Sequence, residues 1–137
     1  MDAEVFFTTG PVAPPPRTRE LRRQNEVGAV VEFHGVVRET EGDAQLDGLF
    51  YETYEPMARR EFDRIIADLN ARLSVQSVCI VHSTGFVPAG AASLYVRVEA
   101  KHRGAALVFC GELIDGMKRD VPIWKTARRR AASPLAQ

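Results

Sequence analysis

The chain has 137 residues, enough to bury a core and within the usual size of one domain. Hydrophobic residues make up 45% and charged residues 26%, ordinary proportions for a globular protein, and no apolar run reaches the length of a membrane span. Eighteen basic and eighteen acidic side chains cancel, so the overall charge calls for neither a nucleic-acid nor a membrane-surface partner.

Residues 4–8 read as a first strand. Four prolines among residues 11–16 make an extended connector, and the polar stretch 17–25 fits a short helix. Residues 27–37, rich in Val and Phe, read as a strand in which Gly28 and Gly35 mark a bulge or a close approach of backbones. The acidic stretch 39–47 contains Gly42 and reads as a mobile loop, followed by a strand over 49–54. Pro56 suits a first helical position. Beyond it Met57, Phe62, Ile65, Ile66, Leu69 and Leu73 recur with the helical period, and Arg59, Arg60, Asp63, Arg64 and Asp68 fall on the other face.

Residues 75–82 read as a strand and Pro88-Ala89-Gly90 as a turn. Leu94, Val96, Val98 and Ala100 then alternate with Ser93, Tyr95, Arg97 and Glu99, the pattern of a strand with one wet face. Residues 104–118 read as a second long helix, with Ala106, Phe109, Cys110, Leu113 and Met117 on one side. Paired strands with two covering helices make the class α+β. The whole chain, 1–137, reads as a single domain, with 11–26 as connector and 127–137 as a flexible tail.

Cys79 and Cys110 sit in apolar runs and read as buried small hydrophobes; without a Cys-x-x-Cys, metal and dithiol chemistry find no support. No ligand spacing supports a metal site. The start, Met1-Asp2-Ala3-Glu4, lacks a basic region and a long apolar stretch, so no signal peptide is read and a cytoplasmic protein is expected. Charge is unevenly spread. Residues 118–130 hold six basic side chains against Asp120 alone, and 39–55 hold six acidic ones and no basic one.

Within the basic segment, Lys118 and Lys125 bracket Pro122 and Trp124. Pro122 lacks an amide hydrogen and disfavours a helical residue before it, so the second helix should end near Asp120 or Val121. Lys118 then lies in the last turn and Lys125 on the segment beyond, an arrangement able to bring two ammonium groups to one pocket. A helix C-terminus also favours cations for electrostatic reasons alone. His102-Arg103 falls at the start of the same helix, where free amide hydrogens favour phosphate; a purely local capping role fits as well. Arg38 ends its strand and offers a forked donor set, though arginine there is usually plain surface. His34 and His82, inside strand patterns, read as packed or edge residues rather than ligands.

In order and spacing these pieces resemble the large, catalytic subunit of molybdopterin synthase. The resemblance is carried by Gly28-Ala29-Val30-Val31-Glu32-Phe33-His34-Gly35-Val36-Val37-Arg38, by Tyr51-Glu52 with Tyr54-Glu55 and Met57-Ala58, and by Ile80-Val81-His82 with Gly85. His102-Arg103 and Lys118 with Val121-Pro122-Ile123-Trp124-Lys125 complete it. It covers about residues 27–126. Ser83 stands where the family usually has arginine, Thr126-Ala127 where lysine and glutamate often follow, and Lys101 adds a cation before His102.

The resemblance implies an α/β hammerhead with an added antiparallel β subdomain. It implies a sulfurtransferase that converts cyclic pyranopterin monophosphate to molybdopterin, with no further cofactor. Sulfur would come from the C-terminal thiocarboxylate of a small ubiquitin-like sulfur-carrier subunit, whose Gly-Gly tail enters the large subunit. A homodimer carrying one small subunit at each end makes a heterotetramer. By position, Lys118 and Lys125 match the active-site lysines; an ammonium can neutralise the thiocarboxylate and a developing oxyanion, or move protons. Lys118 is assigned to the tail and acyl group, Lys125 to the pterin. Arg38, His102 and Arg103 match substrate-binding positions for the cyclic phosphate, some of them serving the neighbouring subunit's pocket. Backbone groups of Val36, Val37, Thr126 and Ala127 are expected to line it. A non-catalytic paralogue that only docks a Gly-Gly tail is the alternative; a nucleic-acid binder using the basic C-terminal segment is disfavoured by zero net charge and few interleaved aromatics.

Overall fold

The computed structural model describes residues 1–15 and 26–131. The short helix expected over 17–25 lies outside the described residues. In chain order the elements are β1 (Asp2–Thr9), β2 (Ala29–Val36), β3 (Thr40–Glu41), β4 (Ala44–Thr53), α1 (Glu55–Asn70), β5 (Ser77–Pro88), β6 (Ala92–Ala100), α2 (Arg103–Asp120) and β7 (Ile123–Arg129). The α+β expectation holds.

Two groups of strands share the long β5. Its first part takes β1 in parallel on one side and β6 antiparallel on the other, with β2 outermost beside β6. Its last residues, 85–88, pair instead with β4, which carries β7 along its other edge and β3 at its start. Gly85 is the joint: its φ of 94° is a left-handed conformation that a side chain resists, so glycine lets one strand serve both groups. Gly28 answers a different need. A Cβ there would lie 2.3 Å from the Lys101 carbonyl oxygen, so only glycine lets the chain enter β2 this close to the end of β6.

Both helices cover one face of the larger group. Phe62, Ile65, Ile66 and Leu69 of α1 and Phe109 and Leu113 of α2 pack on Val78 and Ile80 of β5 and Val96 and Val98 of β6. Each such side chain contributes roughly 1.5–3 kcal/mol by leaving water. Val121 leaves helical geometry with ψ of 128°, which ends α2 where Pro122 requires. Both cysteines are buried as expected, and burial pushes both thiols above their ordinary pKa, which leaves them protonated and inert.

Several expectations are corrected. β6 has no wet face: Tyr95, Arg97 and Glu99 are as buried as Val96 and Val98. The proline-rich connector lies over them, with Val12 N–H donating to the Ala92 carbonyl (2.9 Å) and Arg97 Nη1 donating to the Pro15 carbonyl (3.3 Å). Glu99 is held there by the Ser77 hydroxyl at 3.1 Å and faces Arg97 at 3.9 Å, so a charged pair occupies a layer that alternation assigns to water. The acidic stretch 39–47 is a β-hairpin rather than a loop. β3 pairs with the start of β4 around Gly42, and Arg130 bridges Glu39 (3.0 Å) and Asp47 (3.7 Å). The segment 127–137 begins as part of β7, which pairs with β4 out to Arg129, and residues 132–137 lie outside the described residues. Met57, placed on the apolar face of α1, is 43% exposed, in the first turn of the helix.

Candidate functional site

A cavity of about 480 Å³ opens where the two groups of strands meet the C-terminal end of α2. The sequence explains the convergence. The Gly35/Val36 bulge ends β2 and throws Val37 inward, where its amide donates to the Ala91 carbonyl (2.9 Å) and its carbonyl accepts from Gly90 (2.8 Å). That fastening leaves Arg38 at the rim. Pro122 stops α2 so that Lys118 occupies its last turn, and β7 then starts alongside β4. Lys125 pairs directly with Tyr51, so both side chains project from the same face, into the cavity.

Three cations therefore share one space: Arg38, Lys118 and Lys125 all line it. None forms a hydrogen bond or ion pair with another described residue. Glu41 from the hairpin is the one carboxylate among the lining residues. Phe33, Leu46, Leu49, Ile114, Met117 and Val121 supply apolar walls. Such a space suits a ligand with a flat apolar body and an anionic group, held by charge-assisted hydrogen bonds.

The buried end is polar. His82 is 4% exposed and Tyr51 9% exposed. Their rings meet edge to face at 5.4 Å. His82 Nδ1 lies 2.8 Å from the Ser83 carbonyl, and the Tyr51 hydroxyl donates to Ser93 Oγ at 3.0 Å. Burial pushes the His82 imidazole below its ordinary pKa, against a smaller upward pull from the Ser83 carbonyl. Tyr51, His82 and Ser93 were not among the expected site residues. The position of Tyr51 directly opposite Lys125, a matter of strand pairing, is the signal that identifies it.

The remaining expected residues stand elsewhere. His102 is the N-cap of α2 and Arg103 its first residue, both exposed, and His102 makes no side-chain cap. They lie about 22 Å along the helix axis from Lys118, so one copy of the chain does not bring them to this cavity. Thr126 and Ala127 pair with Phe50 and Leu49 inside the β4–β7 ladder, and neither lines the cavity. Val36 and Val37 do line it, but the Val37 amide and carbonyl are already bound to Ala91 and Gly90. Among the described residues no group of three or more His, Cys, Asp or Glu is placed to hold a metal, and no helix is long and apolar enough to cross a membrane.

Residues 8–120 match the family model described as MoaE protein. A molybdopterin synthase catalytic subunit from Oryza sativa subsp. indica is 38% identical over 103 residues, 75% of this chain and 53% of the relative. One from Pasteurella multocida is 34% identical over 107 residues, 78% of this chain and 71% of the relative. The chain spans about half the length of the rice relative it matches. The crystal structure of molybdopterin synthase from Staphylococcus aureus superposes with a TM-score of 0.79 at 28% identity, covering 93% of this chain and 92% of that one. A complex of subunits 1 and 2 of molybdopterin-converting factor from Helicobacter pylori gives 0.71 at 25% identity, over 95% and 90%. With the family model spanning most of the chain, and the expected lysine pair on one cavity of the shared fold, this chain belongs to the MoaE protein family.

Proposed function

We propose that this protein is the catalytic subunit of a molybdopterin synthase, a sulfurtransferase that builds the dithiolene of molybdopterin on a cyclic pyranopterin monophosphate. The observation that carries the reading is the convergence of Arg38, Lys118 and Lys125, none of them paired with another described residue, on one partly apolar cavity. A thiocarboxylated Gly-Gly tail of a small ubiquitin-like subunit brings the sulfur. Its sulfur forms a bond to a side-chain carbon of the pterin, and an oxygen substituent leaves that carbon with its electron pair. The resulting thioester is hydrolysed: water adds to the acyl carbon, the carbon–sulfur bond to the acyl group breaks, and the electron pair stays on the pterin sulfur. The partner departs as a carboxylate, and a second partner repeats the sequence. Lys118 stabilises the acyl oxyanion, while Lys125 faces the pterin and moves protons at its reacting carbon. With both cysteines buried and protonated, the partner rather than this chain supplies the sulfur. Free buried thiols suit a reducing compartment, and the reading sets the reaction in the cytoplasm.

The reading includes a homodimer. His102 and Arg103 are remote from their own cavity, so they bind phosphate in a neighbouring copy. Unpartnered apolar surface on the elements concerned supports this: Leu107 and Val108 are 58% and 47% exposed on α2, and Val30 and Val36 are 43% and 53% exposed on β2, whose outer edge is open among the described residues. One small subunit per copy completes a heterotetramer. The test mixes the chain with its thiocarboxylated partner and the cyclic pterin. Dithiolene product is expected. Absence of product with the authentic partner, with Lys125→Ala indistinguishable from wild type, overturns the assignment.

A further inference from the structure

The buried end of the cavity has its own hydrogen-bond logic. The Gly35 carbonyl only accepts, and at 3.5 Å from Ser93 Oγ it makes a long contact toward which the Ser93 hydroxyl hydrogen can point. In that arrangement Ser93 Oγ accepts from the Tyr51 hydroxyl at 3.0 Å. The Tyr51 oxygen, its hydrogen then turned to Ser93, offers its lone pairs to the cavity. His82 behaves alike. Its Nδ1 lies 2.8 Å from the Ser83 carbonyl, which forces the hydrogen of the neutral ring onto Nδ1 and leaves Nε2 as an acceptor. Nε2 has no partner among the described residues, and it is not sealed from solvent although the residue is 4% exposed, so its access runs through the cavity that His82 lines. Burial holds the ring neutral near pH 7.

The cavity is thus polarised. Its rim carries cations that only donate, and its floor carries two atoms placed to accept. A ligand that fits must be anionic at one end and rich in N–H groups at the other. Accordingly, we propose that His82 and Tyr51 are specificity residues that accept hydrogen bonds from the N–H edge of the bound pterin, fixing its depth and direction while the rim holds its phosphate. The inference rests on the proposed function and adds what that reading lacks, a reason for the heterocycle to enter ring first. The reacting side chain is then left near Lys118 and Lys125, where the partner's tail arrives.

Calorimetric titration of the full chain at pH 7.5 with two probes, the cyclic pyranopterin monophosphate and inorganic phosphate, tests it. His82→Phe removes the acceptor and keeps a flat ring; it is expected to weaken pterin binding about tenfold, the usual size of one lost buried hydrogen bond. The Kd for phosphate should stay within about twofold, since the rim is untouched. Tyr51→Phe should weaken the pterin by about threefold to tenfold, and His82→Gln, which restores an acceptor, should recover most of the loss. Acid supplies a readout that a packing role does not give. Protonation turns Nε2 into a donor beside Arg38, Lys118 and Lys125, with Glu41 and Tyr51 as the other titratable groups on the cavity. Pterin affinity of the wild type should therefore fall more steeply than that of His82→Gln as pH drops through the folded-state pKa of His82, which lies below 6.5. A pterin Kd for His82→Phe within twofold of wild type overturns the inference and leaves the proposed function standing; so does equal weakening of both probes, the mark of a structural role. A wild type that binds phosphate but no pterin overturns both. Should His82→Phe fail to fold, Tyr51→Phe, which keeps the edge-to-face contact, decides by the same criteria.

Discussion

The groove between α1 and α2 and the cavity at the end of α2 are both rich in charge, and they treat it in opposite ways. In the groove every arginine is answered. Arg64 meets Glu61 at 2.8 Å, Asp120 at 3.0 Å and Asp68 at 3.3 Å, Arg72 meets Glu112 at 2.6 Å, and Arg119 meets Asp120 at 3.4 Å. In the cavity Arg38, Lys118 and Lys125 form no ion pair with a described residue, and Glu41 is the one carboxylate that lines the same space. Lys118 and Arg119 are neighbours in sequence, yet the helix turns one toward each region. Three cations sharing a space with a single carboxylate repel one another and cost stability, so their survival in one pocket points to a ligand that supplies the missing charge. Paired charges at a helix seam need no such explanation.

The largest expected effect breaks the cavity side of this contrast. Lys118→Ala and Lys125→Ala should each lower the rate of dithiolene formation by about 100-fold or more, the usual loss when a charge stabilising an oxyanion or moving a proton is removed. Their melting temperatures should stay within about 1–2 °C of wild type, because an exposed unpaired cation supports little structure. Thiocarboxylate turnover and thermal unfolding measured on the same samples check the pair of statements.

Next in size is a change beneath the groove. A Cβ at Gly116 would meet Ile65 Cγ2 at 3.2 Å, so the helices touch through the bare backbone. Gly116→Val should separate them and cost about 1–3 kcal/mol in denaturant unfolding, as overpacked cores do. Substrate affinity should hold in whatever fraction remains folded.

A pH effect on stability follows. The folded-state pKa of His82 is depressed by burial below its ordinary 6.5. The unfolded chain therefore binds this proton more readily, and stability is lost as pH falls below about 6.5 toward the folded-state value. The slope is at most about 1.4 kcal/mol per pH unit for one proton. Urea unfolding from pH 7.5 to 5 should show this slope in wild type and lose it in His82→Gln.

The smallest effect sharpens the contrast from the groove side. Arg72→Ala removes a short but exposed ion pair and should cost less than about 1 kcal/mol, screened further by salt. Turnover should be unchanged, and a large fall would erase the distinction between the two regions.

Much of this was legible in the sequence where one element answers one question. The apolar stripe of α1 from Phe62 to Leu69, the stop at Pro122, the close approach at Gly28 and the burial of both cysteines follow from spacing and stereochemistry. What misled was any residue whose partner lies far along the chain. Arg97 and Glu99 look like a wet face until the proline-rich connector covers them. Residues 39–47 look like a loop until Arg130, some ninety positions on, closes the hairpin. His82 looks like simple packing until Tyr51 and Lys125 from two other strands are set around it.

By itself the sequence determined the class of the fold, its two long helices and the stop of the second at Pro122, and the presence of a lysine pair in a setting shared with one family, because these depend on contacts within a turn or two and on residue types in fixed order. Only the tertiary structure decided which cations converge. It put Arg38 with the lysines and left His102 and Arg103 a helix length away, because α2 is a rigid rod whose two ends cannot serve one pocket. It also set His82 and Tyr51 edge to face on the same pocket and Tyr51 against Ser93, since that depends on the pairing of strands far apart in the chain.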